Sequence, residues 1–316
     1  MTPFNKILAE VDPRAAAQPA LARLRQLTRG GDARIDLVTC DCMDAPDVPV
    51  ADADLEAAQA DYAARLERWL DEQAAALGDR EVWTQVVWHA PRYEAILDRA
   101  KAAGADLVMR SARHHSRLER LLIGATDWEL VRHAPQTVWL VKREPVDEDR
   151  GLRVLAAVDP VHARERQVGL DRRVVDTAAR IAAPDGGELH LFHAWQPGIA
   201  MAPAIAAGPH VPLPLINMDP ETIDRLRGER QSRLDELAGR AGLPSSRTHL
   251  VEGAVTDALD ELVRELDVDV IVAGGVARGR LERLVIGSTA EAILEHADCD
   301  VVVVKPPSDS KEETNR

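Results

Sequence analysis

The sequence predicts an α/β protein made of two tandem doubly wound domains, each a five-stranded parallel sheet flanked by helices. Three observations carry this prediction: one long segment occurs twice, apolar patterns alternate between strand and helix periods, and the later strands are almost wholly apolar. Strands that alternate with helices form right-handed crossovers, which give a parallel sheet covered on both faces. Strands buried on both faces lose their polar alternation, as VIVAG and VVVV do.

The repeat relates residues 117–142 to residues 280–305, which align without a gap and agree at half of their positions. The phrase KILAEVDP at Lys6–Pro13 also recurs as RVLAAVDP at Arg153–Pro160. Between the copies, REPVDEDRG is charged, contains proline and has no apolar period, which is typical of a linker. The predicted domains are therefore residues 1–143 and 151–307, followed by a disordered tail at 308–316.

Both halves show the same order of elements, with short β-branched runs between segments that have helical apolar spacing. The first half is predicted to fold as KILAEV, ALARLRQLTR, RIDLVTC, DLEAAQADYAARLERWLDEQAAAL, VWTQVVW, PRYEAILDRAKAAG, ADLVMR, TDWELVRHA and TVWLVK. The second half is predicted to fold as LRVLAAV, RQVGLDRRVVDTAARIA, ELHLFHA, ETIDRLRGERQSRLDELAGRAG, SRTHLVEG, AVTDALDELVREL, DVDVIVAGG, STAEAILEHA and DVVVVK. Gly242 is expected to end the long second helix of that half.

Composition argues against several classes of partner. The formal net charge of −14 opposes binding to nucleic acid and to an anionic membrane surface. No apolar run approaches the roughly 20 residues of a membrane helix, and the start MTPFNKILAEVDP lacks the regions of a signal peptide. Three cysteines are too few for a disulfide framework, which favours a reducing compartment. We therefore expect a cytoplasmic protein with no nucleic-acid partner and no membrane insertion.

Two features fall at the carboxyl edge of the second predicted sheet, where doubly wound folds bind ligands. Asp159 closes the first strand of that half, and a glycine-rich loop follows its fourth strand. Glycine allows close backbone approach, arginine adds cationic donors, and a helix N-terminus attracts phosphate. The alternative is a tight turn before an ordinary capped helix. The candidate nucleotide-binding residues of this loop are Gly274, Arg278, Gly279, Gly287, Ser288 and Thr289.

With these residues the chain resembles the universal stress protein family, whose ATP-binding members carry G-x2-G-x9-G-S/T in this loop. The fit here is Gly274-x2-Ala277-x9-Gly287-Ser288, so alanine replaces the second glycine. In the family the aspartate that ends the first strand contacts the nucleotide, which implies that role for Asp159. A residue ending the second strand lines the adenine pocket, and Ala194 occupies that position.

The resemblance extends over essentially the whole chain, in tandem. Segments such as VVWHAPRYEAI, TDWELVRHAPQTVWLVK and LRGER are similar to the E-type subgroup of the family. Single-domain members commonly pair through their last strands, which implies that TVWLVK and DVVVVK lie side by side in an intramolecular pseudo-dimer. Such pairing also buries two apolar edges. A homodimer of the tandem chain remains open.

The first half departs from the loop motif. It has Ser111, His114 and Ala125 at the motif positions and keeps only Gly124. Side chains then lie where phosphates would need bare backbone, which implies that this half does not bind ATP in the family manner. Asp12 still closes its first strand, as a turn former beside Pro13.

Two other features leave alternatives open. The segment Trp195–Pro220 is long, apolar and rich in proline. It packs as a lid on the domain interface, walls a pocket for a hydrophobic, lipid-like molecule, or is disordered. His114 and His115 are either ordinary loop histidines or ligands of a divalent metal. No metal site is assigned.

The sequence thus supports a stress-response protein whose second half binds ATP or another adenine nucleotide, with or without Mg²⁺. The alternative is a non-nucleotide scaffold, or a module for an apolar small molecule that uses the 195–220 loop. The enzyme motifs GxxxxGK[ST], HExxH and GxSxG do not occur in the chain. We therefore assign no catalytic residue and expect, at most, a slow ATPase.

Overall fold

A computed structural model describes residues 4–41, 52–112, 123–145, 147–161, 165–197, 219–275 and 288–306. The first half contains β1 Lys6–Glu10, α1 Pro19–Leu27, β2 Arg34–Asp41, α2 Asp52–Ala75, β3 Val82–Trp88, α3 Arg92–Ala103, β4 Leu107–Ser111, α4 Ala125–His133 and β5 Thr137–Val141. The second half contains β6 Arg153–Ala157, α5 Glu165–Ala182, β7 Glu188–Trp195, α6 Pro220–Arg240, β8 Thr248–Glu252, α7 Val255–Glu265, β9 Val270–Gly274, α8 Ser288–His296 and β10 Asp300–Val304.

All ten strands join one sheet in the order β3-β2-β1-β4-β5-β10-β9-β6-β7-β8. Within each half the five strands are parallel. At the centre, β5 and β10 pair antiparallel, with Trp139 opposite Val302. This arrangement confirms the predicted α/β class, the doubly wound halves and the pairing of the two last strands.

The helices cover both faces of the sheet, and each face has its own apolar core. On one face α1, α2, α5 and α6 pack on inward residues that include Ala156, Val272 and Val302. On the other face α3, α4, α7 and α8 pack on their neighbours, such as Leu155 and Val301. Both cores run through the two halves, so the domains share a hydrophobic core on each face of the sheet.

A buried carboxylate stabilises the junction of β5 and β10 between the halves, which we call the seam. Asp300 begins β10 and is fully buried. It accepts hydrogen bonds from Arg23 Nε at 2.8 Å, from the Lys142 backbone N at 3.0 Å and from Trp139 Nε1 at 3.2 Å. Burial raises the pKa of the Asp300 carboxyl above its ordinary value, against the effect of Arg23. All three donors come from the first half, so this one side chain joins the two domains.

Two buried lysines also form hydrogen bonds across the seam, each to a helix of the opposite half. Lys142 follows β5, and its Nζ donates to the carbonyl oxygens of Leu294 at 2.8 Å and Ala297 at 2.6 Å, at the end of α8. Lys305 follows β10, and its Nζ donates to the carbonyl oxygen of Val131 in α4. The two lysines occupy equivalent positions of the repeat. Each therefore caps the C-terminus of a helix in the opposite half, where carbonyl groups lack helical partners.

The segment between the halves is also held in place. Arg25 of α1 donates two hydrogen bonds to the Glu148 carboxylate, at 2.7 and 3.0 Å. Gly151 then packs directly on the backbone of Gly187, and a Cβ at Gly187 would lie 2.6 Å from the Leu152 carbonyl oxygen. The linker therefore crosses the start of β7 at a distance that only glycine permits.

Two predicted element ends can be compared with the fold. The helix predicted to end at Gly242 does so: α6 stops at Arg240, and Gly242 has a left-handed φ of 68°. The apolar insert was predicted to begin at Trp195, but β7 continues through Trp195, which pairs with Glu252 of β8. The insert therefore begins one residue later, and its residues 198–218 lie outside the described part of the chain.

Candidate functional site

A cleft of about 380 Å³ opens at the carboxyl ends of β6 and β7, where the sequence predicts a binding site. It is lined by Asp159, Val161, His193, Ala194, Trp195, Gln196 and Arg230. Two of the predicted site residues, Asp159 and Ala194, are thus brought together. Ligand pockets commonly have volumes of roughly 300–1,000 Å³, so the cleft is large enough for a small molecule.

Hydrogen bonds fix the floor of the cleft. His193 is buried, and its Nδ1 lies 3.0 Å from the carbonyl oxygen of Val158. The backbone N of Asp159 donates to Asp171 Oδ1 at 3.1 Å, which ties the turn after β6 to α5. The backbone around Asp159 is therefore positioned before any ligand arrives.

The wall of the cleft is formed by α6. Trp195, at the end of β7, is only 6% exposed, and Arg230 lies over its ring. Arg230 Cζ lies 4.8 Å from the centroid of Trp195, and Arg230 Nη1 donates to the carbonyl oxygen of Leu226 at 3.1 Å. A cation–π contact of this kind holds the guanidinium in one place.

Gly274 ends β9 and has a close neighbour in the fold. A Cβ at this position would lie 2.7 Å from Leu170 Cδ2, because Leu170 of α5 packs directly on the Gly274 backbone. The next residue, Gly275, continues the pairing, since its N donates to the carbonyl oxygen of Val304 at 2.8 Å. Glycine at 274 is therefore needed for the close packing of α5 on β9. The sequence predicts a different reason for glycine here, the close approach of a ligand.

The rest of the predicted loop is only partly described. Ala277, Arg278, Gly279 and Gly287 lie outside the described residues, as do His114 and His115 of the first half. Ser288 begins α8, and Thr289 is an exposed residue of its first turn. The helix that follows the loop therefore starts at the predicted residue.

The equivalent place in the first half contains a buried ion cluster. Arg110 of β4 is 2% exposed, and its Nε lies 2.9 Å from Asp127 Oδ1 and 3.6 Å from Glu10 Oε2. Arg92 reaches the same Glu10 at 3.3 Å and Asp12 at 3.4 Å. Burial disfavours the charge on Arg110, but Glu10 and Asp127 outweigh it and raise the pKa of Arg110.

Each member of the Glu10–Arg110–Asp127 cluster corresponds to an alanine in the second half. Glu10 lies opposite Arg110 in the sheet register, and Ala157 lies opposite Ala273 in the same way. Asp127 and Ala290 are both the third residue of the helix that follows the motif loop. These three charged residues were missed from sequence, although the aligned repeat contains the signal: glutamate, arginine and aspartate replace three alanines.

Asp127 also occupies a position where an anionic ligand would be expected. Its Oδ2 accepts from the backbone N of Gly124 at 3.0 Å, at the N-terminus of α4. Helix N-termini favour negative charge because of their unpaired N–H groups and the helix dipole. In the first half that charge is supplied by the chain itself. Nearby, Ser111 Oγ accepts from the Ala20 backbone N at 3.1 Å, so this side chain is engaged in holding α1.

The two halves also differ at the end of their second strands. Asp41 stands at the position that corresponds to Trp195. Asp41 pairs with Arg14 and accepts a hydrogen bond from Tyr62 Oη at 2.6 Å. The first half therefore places an ion pair where the second half places an arginine stacked on tryptophan.

Within the described ranges, no group of three or more His, Cys, Asp or Glu side chains is arranged to hold a metal ion. Among those residues, no helix combines the length and apolar character needed to cross a membrane.

Comparison with known proteins agrees with the fold. The profile of the universal stress protein family matches residues 3–142 and again residues 153–305. Universal stress protein E of Escherichia coli K12 is 28% identical over 312 residues, which cover 97% of this chain and 95% of that protein. Universal stress protein E of Photorhabdus laumondii is 25% identical over 313 residues, covering 97% and 96%.

Solved structures show the same architecture over nearly the whole chain. A functionally unknown protein from Pseudomonas aeruginosa PAO1 superposes with a TM-score of 0.70 at 22% identity, covering 96% of this chain and 93% of that one. A universal stress protein from Archaeoglobus fulgidus gives 0.62 at 17% identity, covering 95% and 98%. At these identities the likeness shows the fold alone.

Proposed function

Because the chain belongs to the universal stress protein family, as a tandem member, we propose that its second half binds an adenine nucleotide and its first half does not. The observation that carries this proposal is the contrast between equivalent positions. In the second half the equivalent positions are Ala157, Ala273 and Ala290, which carry no charge. The same half contains the cleft at the carboxyl ends of β6 and β7. The first half buries three charges there. A buried, paired charge network gives little room to a phosphate.

The roles of the residues follow from their chemistry. Asp159 would accept hydrogen bonds from ribose hydroxyl groups, as carboxylates do in dinucleotide-binding folds. Ala194 is small and would leave space for the base beside it. The start of α8, with Ser288 and Thr289, would receive phosphate through its backbone N–H groups. Contacts from Ala277, Arg278, Gly279 and Gly287 remain part of this proposal.

The cleft lining favours this ligand over the alternative, an apolar molecule. A pocket for a lipid-like molecule should be lined almost wholly by apolar side chains. Here Asp159, His193, Gln196 and Arg230 supply four polar or charged side chains among the seven lining residues. The described part of the cleft therefore suits a polar ligand with hydroxyl and anionic groups.

The test is a thermal shift with ATP on the full chain. A ligand present at 100 times its Kd adds about 2.7 kcal/mol to the free energy of unfolding. Wild type should show this shift, and Asp159→Asn should lose it. Asp12→Asn is the matched control, since Asp12 occupies the same place in the first half. It should keep the full ATP shift.

Two results would contradict the proposal. One is a melting temperature of the wild type that saturating ATP leaves unmoved. The other is a shift that survives in Asp159→Asn but disappears in Asp12→Asn, which would put the nucleotide in the first half. Each shift is compared with the same variant without ATP, so a change in intrinsic stability does not affect the result.

A further inference from the structure

Arg230 lies on the wall of the second-half cleft, where two contacts hold its guanidinium. Its guanidinium lies over Trp195, and Nη1 is held by the carbonyl oxygen of Leu226. Both contacts come from neutral groups. Arginine keeps five N–H donors in a rigid plane, so these contacts leave several donors for another acceptor.

No carboxylate is paired with Arg230 among the residues that the structure describes. One helical turn earlier, Arg227 pairs with Glu252 at 2.6 Å, and both side chains are about half exposed. The half-buried Arg230 in the cleft thus lacks the counter-ion that the exposed Arg227 has.

A second arginine of α6 lies near the same cleft. Arg233, three residues after Arg230, donates from Nη1 to the carbonyl oxygen of Pro160 at 3.4 Å. Pro160 directly follows Asp159, so Arg233 reaches across to the end of β6. Arg230 and Arg233 lie on neighbouring turns of one helix, and each places a guanidinium at or near the cleft.

We propose that Arg230 is the specificity residue of this cleft and recognises a phosphate group of the ligand from the α6 side. The proposal rests on the proposed function and adds a contact outside the 274–289 loop. A preorganised guanidinium without a carboxylate partner gains most from a ligand that brings negative charge, and its planar fork matches phosphate. The cleft should therefore prefer phosphorylated ligands to neutral ones.

The first half supports this assignment by contrast. Asp41 ends β2 at the position that corresponds to Trp195, and it is already paired with Arg14 from the turn after β1. In the first half this arginine therefore has an anionic partner within the chain. In the second half, tryptophan at the equivalent position holds the arginine by stacking and leaves its charge for a ligand.

Calorimetric titration with AMP, adenosine and inorganic pyrophosphate tests the proposal on the full chain. Arg230→Met keeps an unbranched stem over Trp195 and removes the charge; Arg227→Met is the matched control on the same helix. Wild type and Arg227→Met should bind AMP more tightly than adenosine. Arg230→Met should lose about 10- to 100-fold in AMP affinity, the worth of a charged hydrogen bond, and keep its adenosine affinity.

The outcomes separate this inference from the nucleotide proposal. If pyrophosphate binds to wild type and Arg227→Met but not to Arg230→Met, while AMP and adenosine do not bind at all, the phosphate contact stands and the adenine nucleotide does not. If Arg230→Met binds AMP or pyrophosphate as tightly as wild type, Arg230 is not the phosphate contact. Absence of binding by all three probes to wild type would overturn both.

Discussion

Single residues decide how the two halves differ. Glu10, Arg110 and Asp127 place buried charges in the first half at positions where the second half has alanine. A buried ion network contributes little net stability, because desolvation cancels most of the attraction. Removing one partner is a different matter, since it leaves the others buried without compensation. The cluster therefore closes the first cleft and makes that half sensitive to single changes.

Asp127→Asn should lower the free energy of unfolding by about 3–5 kcal/mol, because it removes a charge that compensates the buried Arg110. Urea denaturation of the full chain measures this loss. The matched control is Asp257→Asn, which changes the same residue type at the third position of α7. Asp257 is exposed, so its loss should cost no more than about 1 kcal/mol. Equal effects of the two substitutions would contradict the role assigned to the cluster.

Sequence reasoning found some of these residues and missed others for physical reasons. Asp159 lies just beyond β6 and Ala194 lies next to the end of β7, and strand ends of a parallel sheet meet at one edge, so the sequence could predict that the two lie together. Arg110 and Asp127 lie on β4 and on the helix α4, and only the folded structure shows that their side chains meet. Arg230 lies in a helix whose surface is mostly polar, so its charge predicts ordinary exposure unless Trp195 is known to lie beneath it.

Elements were predictable where an apolar period was strong. The strand β9 is apolar throughout, β10 is apolar after Asp300, and α6 ends where Gly242 allows a left-handed turn. The end of β7 was less clear, because Trp195 is followed by proline and glycine and resembles the start of the loop. Pairing with Glu252 keeps it in the strand, and that contact depends on β8, more than fifty residues later.

The packing of the linker against β7 gives a test at the level of elements. Gly187→Ala should destabilise the protein strongly, because the new methyl group would overlap the carbonyl oxygens of Ala182 and Leu152. Neither atom can move without shifting backbone, so we expect a loss of at least about 3 kcal/mol in urea denaturation, as for severe overpacking.

Gly228→Ala is the control for that substitution. Gly228 lies within α6, and a Cβ there would meet no atom within 4 Å. Alanine should stabilise the helix by about 0.5–1 kcal/mol, since glycine loses more backbone entropy on folding. If Gly187→Ala behaved like Gly228→Ala, the linker could not pack as described.

At the scale of the whole molecule, the seam makes stability depend on pH. Burial lowers the pKa of Lys142 to about 8 and that of Lys305 to about 7, from 10.5. Unfolded lysines keep their ordinary pKa, so between pH 7 and 10.5 the unfolded chain binds more protons than the folded one. The free energy of unfolding should therefore rise with pH, by about 2 kcal/mol between pH 7 and 8.5.

Urea denaturation at several pH values in that range checks this prediction. The range ends at 8.5 because burial raises the pKa of Cys40 and Cys299 to about 12, and their ionisation in the unfolded chain opposes the trend at higher pH. Lys305→Met should remove the larger part of the slope. If the free energy of unfolding of the wild type stayed flat or fell over this range, the two buried lysines would not have lowered pKa values.

The antiparallel seam also determines how the two halves can influence each other. Because β5 and β10 run in opposite directions, the carboxyl edges of the two halves face opposite ends of the sheet. A five-residue strand separates those ends by roughly 17 Å, which exceeds a Debye length of about 8 Å in physiological salt. The charge of a ligand at Arg230 would be largely screened from the ion cluster at Arg110. Communication between the halves would then have to travel mechanically, through the shared interior and the helix ends that the exchanged lysines hold.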